Sequence, residues 1–177
     1  MRFGARLAAL ALLGALAWPE IPRYLAERRV GFATAALSGL LDRTGDPNAV
    51  PEILKVGELA LSAAGRLPGD PRPWILAGSA CLVTARPERA LELYREAFET
   101  GERAEIDLNI GRSYALLRRQ QSAEAAFLRA GWVSPEILGS LAPAIRDPLL
   151  LEIGRLAEEL RLGRLASPPP LPPEERR

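Results

Sequence analysis

The stretch RSYALLRRQQSAEAAFLRAGWVSP (residues 112–135) repeats a pattern that occurs 33 residues earlier in the chain. With this shift Gly78 falls on Gly111, and the aromatic Tyr94 falls on the aromatic Phe127. Small residues allow paired helices to approach closely, and large ones fill the gaps between them. The pattern therefore predicts two successive helical hairpins. The seven aligned pairs are Trp74–Asp107, Ala77–Ile110, Gly78–Gly111, Cys81–Tyr114, Ala90–Ala123, Tyr94–Phe127 and Ala97–Ala130.

This spacing resembles the tetratricopeptide repeat, whose pattern W-x-x-L-G-x-x-Y, A-x-x-x-F and P extends over about 34 residues. Residues 70–135 would hold two such repeats. They depart from the family pattern at Cys81, where an aromatic residue is usual, and at Asp107, where the family has tryptophan; the first copy also lacks its closing proline. The resemblance implies an all-α fold, a short right-handed α-solenoid of antiparallel helix pairs.

The flanking segments continue the pattern in a weaker form. Residues 23–69 keep small residues at a similar shift and are expected to form a degenerate helical hairpin. Residues 136–165 are expected to form capping helices, which cover the last apolar face of a solenoid. Residues 166–177 contain five prolines, so we expect a Pro-rich disordered tail of polyproline type.

Prolines and glycines predict the ends of the helices. A proline preceded by a capping side chain predicts a helix start, and proline is also accepted in the first helical turn. Glycine is favoured just after a helix, where the backbone becomes left-handed. The predicted starts are Pro51, Asp70-Pro71, Pro87, Ser134-Pro135 and Asp147-Pro148, and the predicted ends are Gly101 and Gly163.

The amino-terminal residues 1–20 have the features of a targeting segment. Arg2 and Arg6 precede the uncharged residues 7–18, and Ala15-Leu16-Ala17 resembles a signal-peptidase site. Twelve helical residues cover about 18 Å, less than the roughly 30 Å of a hydrocarbon core. A cleaved signal peptide and a retained hydrophobic membrane anchor both remain open, with a cytosolic helix as the less favoured alternative. We expect the protein in the bacterial cell envelope, either anchored to the inner membrane or periplasmic.

Composition argues against several classes of function. The 23 basic residues nearly balance the 22 acidic ones, which does not fit a nucleic-acid-binding surface. The chain has no histidine, and its only cysteine, Cys81, is expected to act as a small hydrophobic residue. The charged residues 88–99 are expected to form a solvated helix face. We therefore expect no catalysis, no cofactor and no metal.

The resemblance also implies where a partner would bind. In this family the first helix of each repeat lines a concave groove that receives a peptide or a helix. The corresponding residues here are Arg72, Ile75, Leu76, Ser79, Leu82, Leu108, Asn109, Arg112 and Ala115. This mostly apolar face suits a segment that carries an acidic group. The alternative is that several of its aliphatic residues pack against the first hairpin or the capping helix.

These features lead to two hypotheses of different class. In the first, the protein is a non-catalytic protein–protein interaction scaffold, an accessory or assembly factor of a membrane-associated complex. In the second, it is an obligate structural subunit of such a complex, held by an amino-terminal transmembrane helix.

Overall fold

A computed structural model describes residue 18 and residues 20–43, 45–165 and 167–172. The predicted targeting segment and hydrophobic helix, residues 1–20, therefore lie outside the described residues except at positions 18 and 20. The described part of the chain forms seven α-helices and no strand, which confirms the all-α prediction. They are α1 (Glu20–Leu41), α2 (Val50–Leu61), α3 (Arg72–Val83), α4 (Pro87–Phe98), α5 (Ala104–Leu116), α6 (Gln120–Val133) and α7 (Pro143–Arg161).

Each helix packs mainly against the helices that precede and follow it in the sequence. The largest hydrophobic core contains residues from all five helices from α3 through α7. Its large buried side chains include Tyr94, Tyr114 and Phe127. Two smaller clusters, around Val30 and Ile53, attach α1 and α2 to this core. None of the described helices has the length and apolar character needed to cross a membrane.

Most of the predicted helix ends agree with the structure. The Asp70 carboxylate accepts a hydrogen bond of 3.0 Å from the Arg72 backbone N–H at the start of α3. Pro87 is the first residue of α4, where its missing N–H costs no helical hydrogen bond. Gly101 follows α4 with a φ of 133°, and Gly163 follows α7 with a φ of 68°.

The predicted helix start at Asp147-Pro148 is wrong. Helix α7 begins at Pro143 and continues through Pro148 to Arg161, so residues 136–165 contain one long α-helix preceded by a 3₁₀ segment, Pro135–Ser140. Pro148 cannot donate a helical hydrogen bond. The helix continues because Leu149 and Ile153, in the turns that follow, are buried in the main core.

The turns of the α3–α4 hairpin and the α5–α6 hairpin have the same backbone geometry. Ala85 and Arg118, which lie 33 residues apart, have φ values of 56° and 60°. Non-glycine residues rarely adopt this left-handed conformation, so its recurrence at matching positions indicates a common turn. The bonds that close the turns also match: Arg86 N–H to the Cys81 carbonyl at 2.8 Å, and Arg119 N–H to the Tyr114 carbonyl at 2.9 Å.

Gly78 and Gly111 occupy equivalent places in these two hairpins. A Cβ atom added to Gly78 would lie 2.7 Å from Cε1 of Tyr94, and one added to Gly111 would lie 2.5 Å from Cδ1 of Phe127. Both distances are shorter than carbon–carbon contact allows. Each glycine is therefore required by the aromatic ring of the second helix in its own hairpin.

Candidate functional site

One open groove, with a volume of about 550 Å³, runs beside α3 and α5 and reaches the start of α7. We call it the α5 groove, because that helix contributes more lining residues than any other. Its lining includes Leu82, Arg112, Ala115, Leu116, Leu141 and Ile145.

Arg112 is held in place at this groove by two hydrogen bonds. Its Nη1 donates to Oδ1 of Asn109 at 3.1 Å, and its Nη2 donates to Oγ of Ser140 at 2.8 Å. Neither of these partners is charged, and the guanidinium is half-buried. A held guanidinium of this kind can bind a carboxylate with little loss of conformational entropy.

The remaining lining of the α5 groove is mainly apolar and partly open to solvent. Leu116 is 53% exposed and Ile145 is 42% exposed, although both are large aliphatic residues. Arg118 contributes a second positive charge. The groove thus combines uncovered apolar surface with two arginines, which is the chemistry that an apolar segment with an acidic residue would match.

The structure brings together three of the predicted partner-binding residues, Leu82, Arg112 and Ala115. Ile75 and Leu108 instead belong to the main hydrophobic core. Ile75 lies on α3 and Leu108 lies on α5, and both of these helices line the groove. The two side chains, however, are on faces that other helices cover. These two side chains support the groove and do not offer surface to a partner.

The other four predicted residues make contacts within the chain. The Arg72 guanidinium binds the Asp70 carboxylate at 2.7 Å, and it holds the pKa of Asp70 below its usual range. Leu76 packs against the clusters of α1 and α2, as the alternative interpretation of the sequence expected. The remaining contacts are Ser79 Oγ to Tyr94 Oη at 3.1 Å and the buried Asn109 to Arg112.

Comparisons with protein-family models, curated proteins and solved structures find no match.

The sequence predicted that the only cysteine of the chain acts as a small hydrophobic residue. Cys81 lies in the main core, and burial raises the pKa of its thiol, which disfavours the reactive thiolate. Within the part of the chain that the structure describes, no group of histidine, cysteine or acidic residues is arranged to hold a metal.

A second site, which the sequence did not predict, lies between α4 and α5. Residues 167–172, which we call the strap, cross this α4–α5 cleft. Pro169 and Pro172, which belong to the Pro-rich tail of the sequence, are buried. Apolar proline rings gain from burial and lose little backbone entropy, which explains the docking. The cleft is lined by Glu92, Arg95, Glu96, Phe98, Glu99, Asp107, Ile110 and the strap residues Leu171 and Pro172.

Asp107, which lines the cleft, lies close to an ion pair formed by Glu102 and Arg129. Arg129 forms a bidentate ion pair with Glu102, and this pair holds the pKa of Glu102 below its usual value. Asp107 is only 1% exposed, and burial raises its pKa to about 7, with a further contribution from the nearby Glu102 charge. One signal for this site was present in the sequence: Asp107 replaces the tryptophan expected at that position of the repeat.

Proposed function

We propose that the protein is a non-catalytic interaction module, a short tetratricopeptide-like α-solenoid whose α5 groove binds a segment of a partner protein. The observation that carries the proposal is the groove itself. It presents two exposed aliphatic side chains, Leu116 and Ile145, around the fixed guanidinium of Arg112. Uncovered apolar surface of this kind beside a positioned charge is typical of sites that bind peptides.

The recurrence of two structural devices supports the solenoid part of the proposal. The glycine–aromatic contact occurs at Gly78 and again at Gly111, and the left-handed turn occurs at Ala85 and again at Arg118. Both recur at the 33-residue spacing of the sequence repeat. Stacked units that share such devices form extended grooves along their first helices.

The lining of the groove suggests the chemistry of the partner. An amphipathic or extended segment would place apolar side chains on Leu116 and Ile145 and an acidic side chain near Arg112 and Arg118. An attraction between these charges would weaken at high ionic strength. The proposal includes no nucleic acid, metal or cofactor.

The proposed setting is a membrane-associated complex of the bacterial envelope, in which the protein is an accessory or assembly factor. The support for this part is the apolar sequence of residues 1–20, which would either anchor the chain in the inner membrane or direct it to the periplasm.

The experiment that tests this function compares two double variants in full-length protein. Crosslinking and affinity capture from membranes first identify the partner of the unmodified chain. The groove variant Arg112→Gln/Leu116→Ser should then bind the purified partner at least about tenfold more weakly, since two central contacts are lost. The control variant Arg161→Gln/Leu151→Ser removes the same residue types from exposed positions of α7 and should bind normally.

Circular dichroism must show that both variants are folded. If both variants bound the partner as tightly as the unmodified chain, the assignment of the groove would be refuted. Equal loss in both would point to a binding surface that includes α7.

The second candidate function, an obligate structural subunit, is favoured by one feature of α1. This helix leaves Ile21, Leu25 and Phe32 exposed at 48%, 49% and 65%, and their spacing places them along one side of the helix. Such a stripe would be covered in a permanent complex. Deletion of residues 1–18 distinguishes the two functions: an interaction module still binds its partner in solution, whereas an integral subunit is lost from the complex.

A further inference from the structure

The strap is held by a polar contact from α6 and by apolar contacts in the α4–α5 cleft. Nη1 of Arg129 donates a hydrogen bond of 2.5 Å to the backbone carbonyl of Pro169. Pro172 is almost completely buried, and Leu171 is half-buried beside it. A proline has no N–H to offer, so the proline residues of such a segment bind through their carbonyls and their rings, and only its other residues can donate a backbone N–H. The cleft recognises both of these features.

The recognising group is itself rigidly positioned. The Arg129 side chain is only 16% exposed, and its Nη2 donates to Oε2 of Glu102 at 2.7 Å. A guanidinium that is fixed by a carboxylate on one side donates its remaining N–H groups in a defined direction. This is a built donor site for a main-chain carbonyl.

The strap nevertheless fills only part of the cleft and leaves one of its polar atoms without a hydrogen bond. An open volume of about 420 Å³ remains beside Leu171 and Pro172. Asp107 also lines this space, and its Oδ2 atom is buried with no hydrogen-bond partner among the described residues. A buried oxygen without a donor is costly, so a segment that brought an N–H group to this point would bind more favourably than the strap.

We propose that the α4–α5 cleft is a recognition site for extended proline-rich segments, and that residues 167–172 occupy it in cis until a partner's proline-rich segment displaces them. This site is separate from the α5 groove. The strap acts as an intramolecular competitor, whose local concentration is set by the short connection to α7. Access to the cleft therefore depends on how well the partner's segment competes with the chain's own.

The first experiment releases the strap in the full-length chain. The double variant Leu171→Asp/Pro172→Asp places two negative charges beside Glu96, Glu99 and Asp107, which should expel the strap. The probe is a fluorescent peptide with the sequence of residues 165–173, and fluorescence anisotropy measures its binding. The released variant should bind this peptide at least about tenfold more tightly than the unmodified chain. A peptide with alanine at every proline should not bind.

The second variant tests the role of Arg129. Arg129→Gln, added to the released chain, should weaken peptide binding by about tenfold or more, because a charge-assisted hydrogen bond is lost. Arg155→Gln is the matched control, since Arg155 lies on α7, is exposed and pairs with Glu152. Binding that is unaffected by Arg129→Gln would overturn the assignment.

A third measurement leaves the strap sequence almost unchanged, so that it applies even if the released variant does not fold. A nitroxide label at Ser167→Cys reports on the strap, because Ser167 is exposed while Cys81 is buried. Saturating peptide should increase the motion of the label in the electron paramagnetic resonance spectrum. The proposal fails if the spectrum does not change, if released and unmodified chains bind the peptide equally, or if light scattering shows dimers that form by exchange of straps.

Discussion

The α3–α4 and α5–α6 hairpins share one backbone design but differ in the side chains placed on it. Both have a glycine against an aromatic ring and a left-handed turn at matching positions. In the first hairpin the ring belongs to Tyr94, whose hydroxyl is bonded to Ser79; in the second it belongs to Phe127. The residues that match keep the helices together. The residues that differ therefore show where the second hairpin has been adapted.

Those differences coincide with the two candidate sites. Arg112 of the α5 groove occupies the position that Ser79 holds in the first hairpin. Asp107 of the α4–α5 cleft occupies the position of Trp74, and Arg129 occupies that of Glu96. A repeat makes such changes visible within a single chain, because one copy serves as the reference for the other.

The largest expected effect on stability comes from replacing Asp107, a residue that distinguishes the second hairpin from the first. Its pKa is about 7 in the folded chain against an ordinary value of 3.8, so the folded state holds the proton more tightly than the unfolded state. This carboxyl therefore lowers stability as the pH rises from 3.8 to about 7. Asp107→Asn should increase the free energy of unfolding by up to about 4 kcal/mol above about pH 8. Urea unfolding across this pH range measures the effect.

At a pH below the ordinary value of 3.8 the carboxyl is neutral in both states, and the same substitution should change stability little. Glu105→Gln, an exposed substitution in the same helix, is the control for the loss of one carboxylate and should change stability by no more than about 0.5 kcal/mol. A stabilisation by Asp107→Asn that was equal at acidic and alkaline pH would contradict the assigned pKa.

A smaller effect is expected when the shared glycines are replaced. Gly78→Ala and Gly111→Ala would each force a methyl group into a buried ring, at a cost of about 1–3 kcal/mol. Gly111→Ala should cost more, because its Cβ would lie 2.5 Å from two atoms of Phe127. Thermal unfolding followed by circular dichroism measures both.

Gly154 provides the matched control, since a Cβ there would meet nothing within 4 Å. Gly154→Ala should stabilise α7 by about 0.5–1 kcal/mol, through lower chain entropy in the unfolded state. If all three substitutions had the same effect, the glycine–aromatic contact would not be a packing requirement.

The smallest expected effect concerns the two turns. Ala85→Gly and Arg118→Gly should each relieve a left-handed backbone and change stability by no more than about 1 kcal/mol, in the stabilising direction. Chemical denaturation of the two variants should give closely similar gains. A gain at one turn and a loss at the other would show that the two turns are not equivalent.

The sequence predicted the helices well because prolines, glycines and small residues act locally. Pro87, Gly101 and Gly163 have the predicted roles at helix ends. The predicted helix start at Pro148 was wrong, because the burial of Leu149 and Ile153 outweighs the helical hydrogen bond that Pro148 cannot donate. Local rules cannot weigh such tertiary contacts.

The candidate sites were less predictable for the same reason. Helical spacing placed Leu108 and Arg112 on one face, but it could not show that other helices bury the first and leave the second accessible. The docking of residues 167–172 depends on contacts with α4, α5 and α6, which lie far earlier in the sequence. Arg129 of α6, for example, precedes its hydrogen-bond partner Pro169 by 40 residues.

The packing of each helix against its immediate neighbours has a consequence for biosynthesis. Contacts between segments that are close in sequence form quickly, so each hairpin can assemble soon after it leaves the ribosome. The last hairpin is an exception, because the space above Gly131 is filled by Ile153 of α7 and by Leu138. During translation, α6 keeps an uncovered apolar face until about twenty further residues have been made. Until then this face of the nascent chain is accessible to chaperones and to aggregation.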